Sequence, residues 1–275
     1  MKTLMDVQEL QDRMTSGRQT LLLDVRWALG DPNGHEHYRR AHLPGAVYVD
    51  LERELCAPGG PGLGRHPLPH PAALQESARQ WGINDDDTVV AYDDSGNLAA
   101  ARLWWLLRDA GFPSVTLLDG GLSAWRAAGF DVEGGEERHC VGNVKLSSRH
   151  LPVVSATELM EPGAVDILLD ARAGERFRGE HEPVDPKAGH IPGAISAPTT
   201  ANLGEDKRFR TAEELRERFS ELGAGTGRVA VYCGSGITAA HQIAALELAG
   251  IEAALYPGSW SQWSTTDGLP VATGA

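Results

Sequence analysis

No stretch of this 275-residue chain is apolar over the length of a membrane span, so no transmembrane anchor is expected. Cysteine is scarce. Cys56, Cys140 and Cys233 lie far apart with no Cys-x-x-Cys pair, which excludes a disulfide framework and fits a reducing compartment. Ten histidines include His35, His37 and His42, and His66 and His70, but no cysteine or carboxylate cluster joins them at ligand spacing, so no metal centre is expected. Bases are outnumbered, 25 Lys and Arg against 38 Asp and Glu, and the net charge of −13 argues against nucleic acid or an anionic membrane as partner. The first residues, Met1-Lys-Thr-Leu-Met-Asp-Val-Gln-Glu9, carry acids where a secretory segment needs an apolar core, and a cytoplasmic protein is expected. Disorder is not indicated either. With 41% hydrophobic and 23% charged residues the chain reads as globular, and its length suffices for two domains.

What is present is one unit written twice. Leu21-Leu-Leu-Asp24-Val-Arg26 returns as Ile167-Leu-Leu-Asp170-Ala-Arg172, and Ala41-His42-Leu-Pro-Gly-Ala46 as Gly189-His190-Ile-Pro-Gly-Ala194. Val89-Val-Ala-Tyr92-Asp93-Asp-Ser95-Gly96 returns as Val229-Ala-Val-Tyr232-Cys233-Gly-Ser235-Gly236, and Asp119-Gly-Gly-Leu-Ser123-Ala-Trp125 as Pro257-Gly-Ser-Trp-Ser261-Gln-Trp263. Four blocks in one order make accident implausible. Within each copy, buried strands alternate with helices, which predicts a mostly parallel sheet with helices on both faces and the loops after the strand C-termini gathered at one edge. Ligand sites belong at that edge. The expected domains are residues 1–135 and 151–275, joined by a linker over 136–150 where apolar periodicity is lost. The Pro- and Gly-rich stretch 57–71 reads as a long loop, functional or a rigid cover. Helices are predicted over 98–110 and 239–249, with Gln242 and Glu247 on the polar side of the latter, and a strand over 115–118.

The stretch with chemistry in it is Cys233-Gly-Ser-Gly-Ile-Thr238, between a strand and a helix. Gly234 and Gly236 permit positive φ and close approach, so that N–H groups and the helix N-terminus converge on the sulfur and favour a thiolate nucleophile. A buried structural cysteine is the competing reading. The repeat weighs against it. Asp93 stands in the first copy where Cys233 stands in the second, so the first copy keeps the loop without the nucleophile and is expected to be structural, with Asp93 itself not catalytic.

Asp-x-Arg at a strand end, His-Ile-Pro-Gly-Ala, a cysteine-centred loop and a closing Pro-Gly-Ser-Trp-Ser-x-Trp together resemble the tandem rhodanese family of sulfurtransferases over nearly the whole chain. The Gly-Ser-Gly after the cysteine resembles the loop of 3-mercaptopyruvate sulfurtransferases, whereas thiosulfate sulfurtransferases place basic side chains there. The resemblance implies two rhodanese-like α/β domains, and a sulfur atom carried as a persulfide on Cys233 within the cradle Gly234, Ser235, Gly236, Ile237 and Thr238. It implies a small anionic sulfur donor, an acceptor such as cyanide, a thiol or thioredoxin, and no metal or organic cofactor. Arg176 matches a family position that holds the substrate carboxylate, a role suited to a planar guanidinium. A surface pair with Glu175 or Glu180 is the alternative. A second family arginine is missing after Glu182-Pro183, where Arg178 or Lys187 are candidates to compensate. Motif matching further implies a relay of Ser235, His42 and Asp31, against a His42 that merely orients its own turn. Asp24 and Asp170 are read as structural. The remaining alternatives are a thiosulfate donor, a non-catalytic sulfur relay, and phosphatase chemistry, which lacks its arginine because Ala239 occupies the position.

Overall fold

The computed structural model describes residues 2–60, 62–147 and 149–275. The chain forms two compact units. One comprises the chain up to Cys56 with Pro69–His150 and Glu205–Phe209, and the other Ala57–Leu68, Leu151–Gly204 and Arg210–Ala275. Each repeat therefore contributes one loop to the other's unit. The stretch 136–150, expected as a linker, runs along the first unit on backbone bonds from Gly142 to Arg79 O (2.8 Å), Val144 to Ile83 O (3.1 Å) and Ser147 to Ala110 O (2.9 Å).

In the first unit the elements are β1 (Leu4–Met5), α1 (Val7–Thr15), β2 (Thr20–Asp24), α2 (Gly34–Arg40), β3 (Val47–Tyr48), α3 (Leu51–Glu54), α4 (Pro71–Gln80), β4 (Thr88–Tyr92), α5 (Ala100–Asp109), β5 (Val115–Leu118) and α6 (Gly121–Ala127). All pairings are parallel, in the order β1-β5-β4-β2-β3. Val89, Val90, Ala91 and Tyr92 of β4 are fully buried, as a strand covered on both faces requires. Val90 and Tyr92 join Leu22 and Leu118 in a core with Val7 and Leu10 of α1 and Leu122 and Trp125 of α6. The alternate side chains point to the other face, against which α5 packs with Leu103, Trp104, Trp105 and Leu107 buried.

The second unit repeats the plan with α7 (Ala156–Leu159), β6 (Ile167–Asp170), α8 (Gly174–Arg178), β7 (Ile195–Ser196), a 3-10 turn (Thr199–Asn202), α9 (Ala212–Glu221), β8 (Val229–Tyr232), α10 (Ile237–Leu248), β9 (Ala253–Leu255) and α11 (Ser259–Trp263). Its parallel order is β7-β6-β8-β9, and a single bridge between Val153 and Leu255 stands where β1 stood. Helix α10 starts two residues before the expected point and is buried on nearly every side. Gln242 accordingly has no solvent face; it accepts from Asn202 (2.7 Å), while His241 bonds Thr199 (2.7 Å). The packing of the 3-10 turn and α9 against α10 overrides its polar stripe.

The two His-x-Pro-Gly turns are built alike. Tyr92 Oη accepts from Leu43 N (3.0 Å) and Tyr232 Oη from Ile191 N (3.1 Å). His42 Nδ1 meets Tyr38 O at 2.9 Å and His190 Nδ1 meets Phe177 O at 2.8 Å, each ring stacked on the aromatic whose carbonyl it bonds. Both histidines orient their own turns.

Candidate active site

Cys233 follows the last residue of β8, with Ile237 and the half-buried Thr238 opening α10 after a turn at Gly236, whose φ of +83° only glycine adopts without strain. Gly236 N donates to Cys233 Sγ at 3.1 Å, so backbone polarity is aimed at the sulfur and stabilises negative charge there. Gly234 does not take positive φ, contrary to the expectation from its sequence. It is glycine for room: a methyl group added there would lie 3.2 Å from Arg65 Nη2 and 3.5 Å from Arg176 Nη1.

Two guanidinium groups therefore face the residue beside the nucleophile. Arg176, on α8, is held by Glu182 (2.7 and 3.2 Å) and by Asp185 (3.4 Å). Arg65, on the 57–68 segment, pairs with the same Asp185. Burial pushes the Asp185 carboxyl above its ordinary value even with Arg65 beside it. Burial would likewise raise Glu182, but its bonds to Arg176 and to the Asp185 and Val184 N–H groups outweigh that and hold it low. The two buried carboxylates fix two arginine heads while leaving part of each exposed, 15% for Arg176 and 29% for Arg65.

The next residue on the same segment, His66, places Nδ1 2.7 Å from the Ser235 hydroxyl, within proton-transfer reach. The segment itself is pinned by Arg65 N to Ser261 Oγ (3.0 Å) and by Gln262 Nε2 to Gly62 O (2.6 Å). The closing motif also holds the cysteine loop: Trp260 N donates to Cys233 O (2.9 Å), Ser261 N to Gly234 O (2.9 Å), and Cys233 N to Ser259 Oγ (3.1 Å). Ser259 does this from φ +52°, a left-handed backbone that a serine adopts at a cost of about 1 kcal/mol or more.

A cysteine in a strand-to-helix cradle, in a duplicated parallel α/β unit, matches the pattern of a known family. Its model, the rhodanese-like domain, matches residues 6–128 and again 153–266. The chain belongs to the rhodanese family. A Pseudomonas aeruginosa protein named as a 3-mercaptopyruvate sulfurtransferase is 48% identical, covering 98% of each chain. A Mycobacterium tuberculosis protein named as a thiosulfate sulfurtransferase, SseB, is 46% identical over 99% of this chain and 98% of its own. The crystal structure of the 3-mercaptopyruvate sulfurtransferase SseA from Escherichia coli superposes with a TM-score of 0.83 at 30% identity, covering 95% of this chain and all of that one.

This rhodanese site gathers some of the expected residues and leaves others apart. Cys233, Gly234, Ser235, Gly236 and Arg176 come together, and Ile237 and Thr238 begin the helix behind them. Arg176 pairs with Glu182 and Asp185, not with Glu175 or Glu180. His42 and Asp31 do not form the relay. The Ser235 hydroxyl bonds His66, whereas the fully buried His42 bonds Tyr38 O and Asp31 bonds His37 at 2.9 Å. A histidine that the fold uses in both repeats to build a turn is committed to that turn. Arg178 pairs with Glu180 instead of compensating for the missing arginine, and the Lys187 contact is through its carbonyl, to Trp260 Nε1. Arg65 supplies the second guanidinium. Asp170 and Arg172 form a buried pair, with Arg172 also bonded to Gly189 O and lying over the Trp260 ring, and Asp24 pairs with Arg26, so both Asp-x-Arg motifs are structural. Cys56 is buried, which raises its thiol.

Proposed function

We propose that this chain moves sulfane sulfur from 3-mercaptopyruvate, through a persulfide on Cys233, to a thiol or cyanide acceptor. The observation that carries the reading is the convergence on one loop of a cysteine sulfur, a Ser235–His66 pair at 2.7 Å, and two partly exposed guanidinium groups around Gly234. Arg176 and Arg65 hold the donor carboxylate and keto oxygen by parallel charge-assisted bonds. The Cys233 thiolate attacks the donor sulfur, forming the S–S bond as the C–S pair leaves on carbon as the enolate of pyruvate. Ser235 and His66 carry the donor thiol proton to that carbon, giving pyruvate and a persulfide anion within the 234–238 cradle. An acceptor nucleophile then takes the outer sulfur and restores the thiolate. No step calls on a metal or organic cofactor.

Thiosulfate is the second reading, favoured by the same arginine pair, since two guanidinium groups also match a sulfonate, and by the name given to the Mycobacterium tuberculosis relative. Steady-state turnover of both donors with cyanide separates them. The expectation is kcat/KM at least tenfold higher for 3-mercaptopyruvate, with one sulfur mass added at Cys233 when acceptor is withheld. The reverse order assigns thiosulfate, and turnover of neither points to a sulfur-relay protein. Among the described residues no helix is long and apolar enough to cross a membrane. The negative charge and reduced cysteines support action in the cytoplasm.

A further inference from the structure

The turn at His42 has one feature that its repeat partner lacks. His42 is fully buried, and its Nδ1 is committed to Tyr38 O, which leaves Nε2 as the ring nitrogen available to a ligand. Nε2 is buried and has no hydrogen-bond partner. Beside it lie the carboxylates of Glu133 and Glu137, one ligand atom from each of the three residues lying within 4.8 Å of the others. Glu133 accepts from Gly45 N (3.1 Å), and neither glutamate forms an ion pair among the described residues. Arg39 and His35 are engaged by Glu136 instead. His42 Nε2 and the two carboxylates thus face one another with no hydrogen bond between them among the described residues, an arrangement that a metal cation satisfies.

The second unit supplies the control. There His190 has the same carbonyl bond and the same backbone bridge, with its N and O bonded to Ala272, as those of His42 are bonded to Glu133. The bridge therefore needs no carboxylate, and Glu133 is not explained by folding the turn. An imidazole whose far nitrogen is anchored on a carbonyl is also the usual posture of a metal-ligating histidine.

We propose that His42 Nε2, Glu133 and Glu137 form a binding site for a divalent transition-metal ion of the zinc type, remote in sequence from Cys233 and separate from its chemistry. One imidazole and two carboxylates are a borderline-hard donor set that leaves a fourth position for water. Ligands on such an ion stand about 3.3 Å apart, so the two glutamate side chains close by roughly 1 Å on binding. Glu133 is exposed and Glu137 half-buried, which gives the ion its route in from solvent. Bound there, it ties the chain leaving α6 to the turn ahead of β3.

The test uses the full-length chain with Cys140→Ser and Cys233→Ser, so that counted metal is neither on the exposed thiol nor on that of the Cys233 loop. After removal of metal, zinc chloride is titrated by calorimetry, and zinc is counted after gel filtration. The expected result is one zinc per chain, a rise in Tm with zinc, and cobalt absorption bands without thiolate charge-transfer. Glu133→Ala, which copies the second unit, together with Glu137→Gln should weaken zinc binding at least tenfold and abolish the Tm rise, with an unchanged circular dichroism spectrum. No zinc retained by the parent, or equal affinity in the doubly substituted chain, overturns the proposal. His42→Gln serves as a further check where it folds.

Discussion

The two strand-to-helix loops stand at matching places in their sheets and differ in what fills them and in where the helix starts, seven residues after Asp93 and four after Cys233. In the first, Asp93 turns its carboxylate into its own loop: Oδ1 accepts from Ser95 N and Asn97 N, and Oδ2 from Ala99 N and Ala100 N, at 2.8 to 3.1 Å. In the second, the Cys233 sulfur accepts from Gly236 N. In the first copy the loop is an anion cradle with two acceptor positions. A carboxylate has two oxygens and fills both; a thiolate has one sulfur, and gains a second acceptor atom only as a persulfide. Asp93 thus serves as a permanent internal ligand, and the second copy exchanges that ligand for a replaceable one.

Substitutions that exchange the two loops test this most severely. Cys233→Asp should reduce sulfur transfer to background while leaving the unit folded with an equal or higher Tm, and residual turnover would refute Cys233 as carrier. Asp93→Cys should not create a second persulfide under donor, because the four N–H groups there are set around the two oxygens of a carboxylate and not around one sulfur; two sulfur masses per chain would break the distinction. Next in size, Arg176→Ala or Arg65→Ala should lower kcat/KM for 3-mercaptopyruvate roughly 10- to 100-fold, the value of one or two charge-assisted bonds. His66→Asn or Ser235→Ala should lower kcat by roughly 10²-fold with KM little changed. Equal losses in KM alone would reassign that pair to binding. In stability, Asp93→Ala should cost about 3 kcal/mol in urea unfolding, because four N–H groups lose their acceptor inside the protein.

The smallest effect concerns Asp24, whose carboxyl burial raises to about 6 although Arg26 opposes the shift. The native chain holds this proton more tightly than the unfolded one between the ordinary value of 3.8 and about 6. Its contribution to stability is therefore full below that window and declines as pH rises through it, by no more than about 1.4 kcal/mol per pH unit. Asp24→Asn should remove this slope from the pH dependence of urea unfolding, and an unaltered slope would exclude Asp24 as its source.

The duplicated unit, its parallel sheets, the span Val229–Tyr232 and the place of Cys233 at a strand end were legible because each rests on local pattern or on likeness between copies. His66 and Arg65 were not, since their partners Ser235 and Asp185 are far along the chain and the Pro- and Gly-rich segment around them has no periodicity to fix a register. A signal was nevertheless present. The comparison of copies that singled out Cys233 also separates the histidines: His42 recurs as His190 and builds a turn, while His66 has no such recurrence. Asp185, standing near where an arginine was expected, similarly marks that its positive partner had to come from elsewhere. Ser259 was hidden for another reason, because its role depends on a backbone conformation that residue type alone argues against.

The assignment of Ala57–Leu68 to the second unit carries a consequence for the history of the chain. Duplication ordinarily leaves two copies free to part, yet here the copy without a nucleophile encodes the arginine and histidine that attend the other's cysteine. Gene fission at the linker would divide these groups between two products. The pair Arg65 and Asp185 must also be inherited together, since a change of sign at either, 120 positions from the other, leaves a like-charged pair beside Arg176. The silent repeat thus serves as a donor of side chains, and the two copies work as one.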